Sequence, residues 1–160
     1  MRAGVRVALV TFLLVTVHFF LRLGLGYGTI APDLLTLAIL VAARELRMGS
    51  AAALGLFLGV MEDSFSILAF GGSAVAMTVI GALGARTRDL FVGDSLIFLV
   101  SYLVLGKWSR DFLQWLVVGE GIREPFVEVV LIQAPISAVY LAFVGVLAVA
   151  ATGSWWETAR

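Results

Sequence analysis

The chain alternates between apolar runs and short turns that carry most of its charge. Six such runs are separated by charged or glycine-rich segments. A helix that crosses a bilayer needs about 20 residues, so six crossings would use about 120 of the 160 residues. This arrangement predicts one all-α domain, a polytopic membrane protein of six transmembrane helices with little chain left outside the bilayer.

The composition excludes the other broad classes of protein. Of the residues, 61% are hydrophobic and 14% are charged, with zero formal net charge and a mean hydropathy of +1.06. There are too few polar residues to cover a water-soluble globule, and disorder requires the opposite composition. Zero net charge predicts no nucleic-acid partner. The absence of cysteine excludes disulfides, thiolate catalysis and cysteine metal sites.

The turns give approximate boundaries for the six helices. The expected segments are 5–25, 29–43, 50–65, 72–85, 91–118 and 126–151. The first is long for the apolar region of a signal peptide and no clean cleavage site follows it, so we expect a retained helix. Pro32 suits the first turn of the second helix, and Pro135 is expected to kink the last. Trp155 and Trp156 are expected to mark a membrane interface.

The basic residues are divided unevenly between the two sides of such a bundle. Seven fall on one side: Arg2, Arg6, Arg44, Arg47, Arg86, Arg88 and Arg160. Four fall on the other: Arg22, Lys107, Arg110 and Arg123. The positive-inside rule therefore predicts that both termini lie in the cytoplasm.

The helical pattern of the fifth segment continues beyond one crossing. One face carries Lys107, Arg110, Asp111 and Gln114, and the other carries Trp108, Phe112, Trp115 and Leu116. We expect this amphipathic stripe to lie in the outer headgroup layer, with its tryptophans as anchors, or to protrude. The alternative is a straight helix that turns its polar face towards the other helices.

Small residues recur at helical spacing in the third segment. Ala51, Gly55 and Gly59 are four residues apart and lie on one helix face. In lipid, where apolar burial does not drive helices together, small residues permit close contact between backbones. The pattern predicts helix packing, and a specific contact with a partner is the alternative.

Two aspartates lie where helices are expected to begin or end. Asp33 meets the free backbone N–H groups of a first helical turn and is interpreted as a helix-start signal, with a protein or ion contact as the alternative. Asp63 is expected to hold a tight turn by accepting hydrogen bonds from Ser64, Ser66 or the backbone at 71–72. A cation or partner site is the alternative.

No arrangement of residues indicates catalysis, a cofactor or a metal. His18 is the only histidine and cannot build a usual catalytic zinc site, so we expect a packed or interfacial side chain. No serine or threonine has a base positioned to activate it, and no Walker-type phosphate loop occurs. An intramembrane enzyme would need paired acids or histidines facing each other across helices.

One stretch of the sequence carries a family resemblance. Pro32-Asp33-Leu34-Leu35 begins the second helix, and G-x-x-x-G-x-x-x-D-x-x-S-x-x-x-x-G then runs from Gly55 to Gly71. This ordered combination resembles the rod-shape-determining membrane protein family MreD over residues 31–88. Three features depart from the family pattern. Glu62 stands where an apolar residue is more usual, Phe70 stands where leucine is common, and the charged patch at 107–111 has no counterpart.

The resemblance implies a non-enzymatic scaffold of the cell-elongation (rod) complex in the bacterial cytoplasmic membrane. Such a scaffold binds MreC and, through it, RodA, a class B penicillin-binding transpeptidase and the MreB cytoskeleton, which links cell shape to peptidoglycan synthesis. It further implies a fold similar to the substrate-binding subunits of energy-coupling-factor transporters. The positions carried over are Pro32, Asp33, Gly55, Gly59, Asp63 and Gly71. Their implied role is to shape the bundle and a groove between short, glycine-rich helices for the partner's transmembrane helix.

The main alternative is the substrate-binding subunit of a vitamin transporter. It has a similar size and helix number and also lacks catalytic residues. It requires an outward-facing pocket with convergent polar groups. Residues that could supply one are Asp33, Asp63, Lys107, Arg110 and Gln133.

Overall fold

The computed structural model describes residues 3–24, 31–65, 70–87 and 96–152, and these ranges contain helices and no strand. The helices are α1 (Ala3–Phe19), α2 (Leu34–Ala43), α3 (Met48–Asp63), α4 (Gly72–Thr87), α5 (Leu96–Val117) and α6 (Ala134–Thr152). Two π-helical segments extend this set: Phe20–Gly24 continues α1, and Val127–Gln133 leads into α6. The predicted all-α fold with six helices is confirmed.

The second helix is shorter than expected. Residues 31–33 are not helical, so α2 begins at Leu34 rather than at residue 29. The Asp33 side chain accepts a hydrogen bond from the Thr36 backbone N–H at 3.0 Å and caps the helix there. Pro32 consequently precedes the helix instead of lying in its first turn.

Some predictions fall outside the described residues. The expected start of the fifth segment at residue 91, Ser66, Trp155 and Trp156 all lie in undescribed stretches. Within the described part, the last segment changes from π-helical to α-helical hydrogen bonding at Ala134, directly before Pro135. A proline has no N–H to donate to a helical carbonyl, and a π-helical segment is one way in which a helix accommodates such an interruption.

Helix α2 lies at the centre of the bundle because it contacts every other helix. Nine of its ten residues are buried. The side chains of Leu35, Ile39 and Leu40 are at most 1% exposed. An apolar helix that is hydrophobic on all sides is stable only when it is surrounded, and this one is surrounded by protein.

Helices alternate in direction through the bundle. The ends of α1, α3 and α5 meet the starts of α2, α4 and α6, as the contacts of Glu62 with Arg110 and of Asp63 with Ser73 show. At the opposite end Ala43, Ala51 and Ala85 pack together. The two ends therefore differ in what lies between the helices: paired charged side chains at one end and small apolar residues at the other.

Backbone contact joins α3 to α4. A Cβ atom at Gly55 would collide with the carbonyl of Met77, and one at Gly59 would collide with the backbone at 73–74. From the other side, a Cβ at Gly81 would meet the carbonyl of Ala51. The small-residue face thus packs against α4, as the packing interpretation predicted, and leaves no room for a partner helix.

One continuous helix in the described ranges is long and apolar enough to cross a membrane, namely Val127–Ala150. The shorter α3 and α4 have 16 residues each, or about 24 Å at 1.5 Å per residue, against a hydrocarbon core about 30 Å thick. Helix α5 has 22 residues, but charged side chains interrupt its second half.

Candidate functional site

Six charged side chains meet at the end of the bundle where α1, α3 and α5 finish. This charged cluster consists of Arg22, Asp33, Glu62, Lys107, Arg110 and Asp111. Four elements supply it: the first π-helical segment, the residue before α2, the end of α3 and the second half of α5. The three basic and three acidic side chains balance in charge.

Lys107 joins α5 to the start of α2. Its Nζ lies 2.6 Å from Oδ1 of Asp111 and 3.1 Å from Oδ2 of Asp33. The lysine side chain is only 8% exposed. An ammonium group withdrawn from water to this degree is costly unless it is paired, and here two carboxylates pair with it.

Arg110 makes the corresponding connection to α3. Its Nη2 donates to Oε2 of Glu62 at 2.6 Å, and its Nη1 donates to Oδ1 of Asp111 at 3.0 Å. The other oxygen of Glu62 lies 3.7 Å from Nη1 of Arg22. Glu62 therefore bridges an arginine of the first π-helical segment and an arginine of α5.

The polar face of α5 consequently points into the bundle. The expectation that this stripe lies in the headgroup layer or protrudes is wrong, because Lys107 and Arg110 are buried. On the other face, the Trp108 indole donates to the Val130 carbonyl at 3.1 Å. Acidic residues at the starts and ends of other helices supply the counter-charges that make the inward orientation stable.

A cavity of about 530 Å³ opens beside the charged cluster. Besides the cluster, its polar and aromatic lining includes His18, Gln114, Trp115, Arg123, Gln133 and Ser137. Both π-helical segments border it, one through Arg22 and the other through Gln133. π-helical turns recur at functional sites in proteins, and two of them flank this cavity.

Hydrogen bonds connect the cluster to the cavity wall. The Ser137 hydroxyl of α6 lies 3.1 Å from Oδ2 of Asp111 and 2.9 Å from the Ala134 carbonyl, so these two acceptors share its one proton. Gln114 donates to Oγ of Ser73 at 3.2 Å, and Arg110 also reaches that oxygen at 3.3 Å. Helices α4 and α6 are thereby tied to α5.

Some buried polar atoms of the lining are left without partners. Both ring nitrogens of His18 and Nε of Arg110 find no hydrogen-bond partner among the described residues. The His18 side chain is 3% exposed, which agrees with the expected packed position. Buried polar atoms without partners are uncommon and costly, so these atoms require a water or another polar group beside them.

The two aspartates singled out in the sequence have different positions. Asp33 is a helix-start residue, as predicted, and accepts from both the backbone and the hydroxyl of Thr36, at 3.0 and 2.6 Å. It also pairs with Lys107 and lines the cavity. It therefore fixes the start of α2 and takes part in the charged cluster.

Asp63 caps the next helix and lies outside the cavity lining. Its carboxylate accepts the backbone N–H groups of Gly71, Ser73 and Ala74 at 2.9 to 3.1 Å. The predicted turn is confirmed, and its backbone bond at Gly71 is among those expected. Gly71 has φ +98°, a conformation that favours glycine. The suggestion that Asp63 lines a ligand pocket is wrong, because three backbone donors occupy its oxygens.

Four further positions carried by the family resemblance are structural within this chain. Pro32 precedes α2, Gly55 and Gly59 pack α3 on α4, and Gly71 turns the chain into α4. The contributions of Arg22, Ser73 and Ser137 were missed by sequence reasoning. The one available signal was the excess of unpaired charge on α5, which requires counter-charges from other helices.

The carboxylates of the cluster are paired within the chain. No group of three or more histidine, aspartate or glutamate side chains that could hold a metal ion occurs in the described part of the chain. Each carboxylate of the cluster faces a cation of the chain itself. No known protein family, curated protein or solved structure matches this chain.

Proposed function

We propose that this chain is a non-enzymatic membrane scaffold of the bacterial cell-elongation complex. In this role it binds MreC and, with RodA and a class B penicillin-binding transpeptidase, links the MreB cytoskeleton to peptidoglycan synthesis. The observation that carries the proposal is the ordered string from Pro32 to Gly71. Its aspartates cap two helices and its glycines form a backbone contact, so the residues behind the family resemblance are those that shape the bundle.

The proposal includes a position in the cytoplasmic membrane. Large apolar side chains face outward on several helices, among them Phe12 at 71% exposed, Phe143 at 63% and Ile136 at 67%. Lipid is the solvent in which such surfaces are stable. The 16-residue helices are short for a bilayer, and local thinning or snorkelling of flanking residues accommodates them at modest cost.

The proposed orientation has the charged cluster outside the cell and both termini in the cytoplasm. Arg44, Arg47 and Arg86 lie at the opposite end of the helices, where the positive-inside rule requires the excess of basic residues. The cluster itself is balanced and contributes no bias of its own.

The partner's helix requires a surface other than the small-residue face. Helix α4 fills that face through contacts at Gly55 and Gly59. The outer side of the same helix pair remains open, with Leu56 and Phe57 at 50% and 61% exposed. We place the transmembrane helix of MreC against this outer side, where van der Waals packing is available to it.

Affinity purification of the tagged chain from native membranes in mild detergent tests the scaffold function. Recovery of MreC, with or without RodA and the transpeptidase, supports it. Leu56→Ala combined with Phe57→Ala is expected to reduce MreC recovery, whereas Ile136→Ala combined with Phe143→Ala is the matched control on α6. Absence of MreC from the wild-type preparation contradicts the proposal.

The cavity favours a second candidate function, the substrate-binding subunit of a vitamin transporter. Asp33, Lys107, Arg110 and Gln133 line it, as that alternative requires. Its volume of about 530 Å³ lies within the range of small-molecule sites. Recovery of paired transporter ATPases and their coupling subunit in the same purification would support this function instead.

A further inference from the structure

We propose that the cavity binds a zwitterionic ligand, with its anionic oxygen group at His18, Arg22 and Arg110 and its ammonium group at Glu124. The inference does not depend on the scaffold function, since it rests on the lining of the cavity alone. It assigns a ligand class to a site that the family resemblance leaves without one.

The net charge of the lining indicates a ligand with no net charge. Four basic side chains line the cavity: Arg22, Lys107, Arg110 and Arg123. Four acidic side chains line it as well: Asp33, Glu62, Asp111 and Glu124. A ligand with net charge would leave that charge uncompensated in a partly buried site, whereas a zwitterion would not.

The hydrogen bonds left unmade near α1 indicate where an anionic group would lie. Nε of Arg110 and the ring nitrogens of His18 are buried and have no partner within the described ranges. Among the described residues, Arg22 makes one ion pair, a long one at 3.7 Å to Glu62. An oxygen anion at this position would accept from Nε of Arg110 and from the N–H of His18, and it would share Arg22 with Glu62. The bonds from the two arginines would be charge-assisted.

The part of the lining that follows α5 offers an acceptor. Arg123 donates to the carbonyls of Leu116 and Val118 and lies over the Trp115 ring, with its guanidinium carbon 4.6 Å from the ring centroid. Its neighbour Glu124 lines the cavity and makes no side-chain ion pair in the described part of the chain. The Glu124 carboxylate is therefore available to a ligand ammonium group.

Two sources can supply this chemistry, a soluble zwitterion and the headgroup of a zwitterionic lipid. Purified full-length chain in detergent is titrated with sn-glycero-3-phosphoethanolamine and with β-alanine, and sn-glycero-3-phosphoglycerol is the matched anionic probe. Isothermal titration calorimetry measures binding, and the thermal unfolding midpoint reports stabilisation. We expect saturable binding of a zwitterionic probe and at least roughly tenfold weaker binding of the anionic probe, as the loss of one charge-assisted bond requires.

Variants at the positions assigned to the anionic group and to the ammonium group test the assignment. Arg22→Gln and Glu124→Gln are each expected to weaken binding of the zwitterion by roughly tenfold. Arg86→Gln and Glu120→Gln are matched controls, because both residues are exposed and lie outside the cavity lining. Each control is expected to bind like the wild type.

Native mass spectrometry of the chain from nanodiscs that contain phosphatidylethanolamine and phosphatidylglycerol distinguishes the sources. Retained phosphatidylethanolamine that is lost in Glu124→Gln but not in Glu120→Gln assigns the site to a lipid. Binding of the soluble probes without retained lipid assigns it to a soluble ligand. Three results would overturn the proposal, whatever the outcome of the MreC purification. They are failure of all zwitterions to bind, a preference for phosphatidylglycerol, and equal binding by Arg22→Gln, Glu124→Gln and the two controls.

Discussion

The α3–α4 contact and the charged cluster hold the same bundle together in opposite ways. At Gly55 and Gly59 backbone meets backbone, and the contact has no room for one more carbon atom. In the charged cluster, long side chains from four elements meet beside a cavity of about 530 Å³. The first region is sensitive to volume and the second to charge. We therefore expect the packing of the bundle and the binding of a ligand in the cavity to respond to different substitutions.

Removal of a buried cation is expected to have the largest effect. Arg110→Met leaves Glu62 without its 2.6 Å partner and leaves three carboxylates facing two cations. The free energy of unfolding is expected to fall by about 3 to 5 kcal/mol, the cost of an uncompensated buried charge. Chemical unfolding in detergent micelles, followed by circular dichroism, measures it.

A paired substitution sharpens this prediction. Glu62→Met combined with Arg110→Met removes both charges, so the double variant is expected to be more stable than Arg110→Met alone. Equal stability of the single and double variants would show that charge imbalance is not the cause of the lost stability.

Added volume at the α3–α4 contact is expected to be the next most damaging change. In Gly59→Leu the side chain would meet the backbone of Ser73 and Ala74, so that α3 and α4 must separate. The expected loss is about 3 kcal/mol, and monodispersity in size-exclusion chromatography should fall with it. Gly49→Leu is the matched control on the same helix, since no atom lies within 4 Å of a Cβ there. Equal loss in both variants would contradict the packing account.

Loss of the α4 cap is expected to have an intermediate effect. Asp63→Ala leaves the buried N–H groups of Ser73 and Ala74 without an acceptor, at a cost of about 2 kcal/mol. Asp63→Asn keeps one acceptor oxygen and should lose less. Ser64→Ala, at an exposed neighbouring position, should leave the thermal unfolding midpoint nearly unchanged. A midpoint for Asp63→Ala that matches this control would show that the cap is dispensable.

A hydroxyl at the edge of the cluster is expected to have the smallest effect. Ser137→Ala removes the hydroxyl that Asp111 shares with the Ala134 carbonyl while leaving every charge in place, and should cost about 1 kcal/mol. Ser101→Ala, which removes an exposed bond within α5, is the comparison. Differential scanning fluorimetry of the two variants is sufficient, and a larger shift for Ser101→Ala would count against the role given to Ser137.

Features that depend on neighbouring residues could be predicted from the sequence. The Asp33 cap follows from its place before an apolar run, and the packing face follows from the four-residue spacing of Gly55 and Gly59. The Asp63 turn could be anticipated because its acceptors and donors are at most 11 residues apart.

Features that depend on distant residues could not be predicted from the sequence. The inward orientation of Arg110 requires Glu62, 48 residues earlier in the chain, and nothing local to α5 indicates that pairing. The cavity arises where two π-helical segments border the bundle, and helical periodicity in the sequence does not distinguish a π-helical turn from an α-helical one. Local spacing thus predicted the helix caps and the α3–α4 packing, whereas the charged cluster and the cavity depend on the assembled fold.

Cysteine accessibility in intact cells tests most directly the central claim of a membrane bundle whose cavity opens outside. The chain has no cysteine, so Glu124→Cys at the cavity and Arg86→Cys at the opposite end each give one reactive thiol. With a membrane-impermeant maleimide, we predict labelling of Glu124→Cys in intact cells and of Arg86→Cys only after permeabilisation. Labelling of both positions in intact cells, or of Arg86→Cys alone, would contradict the account.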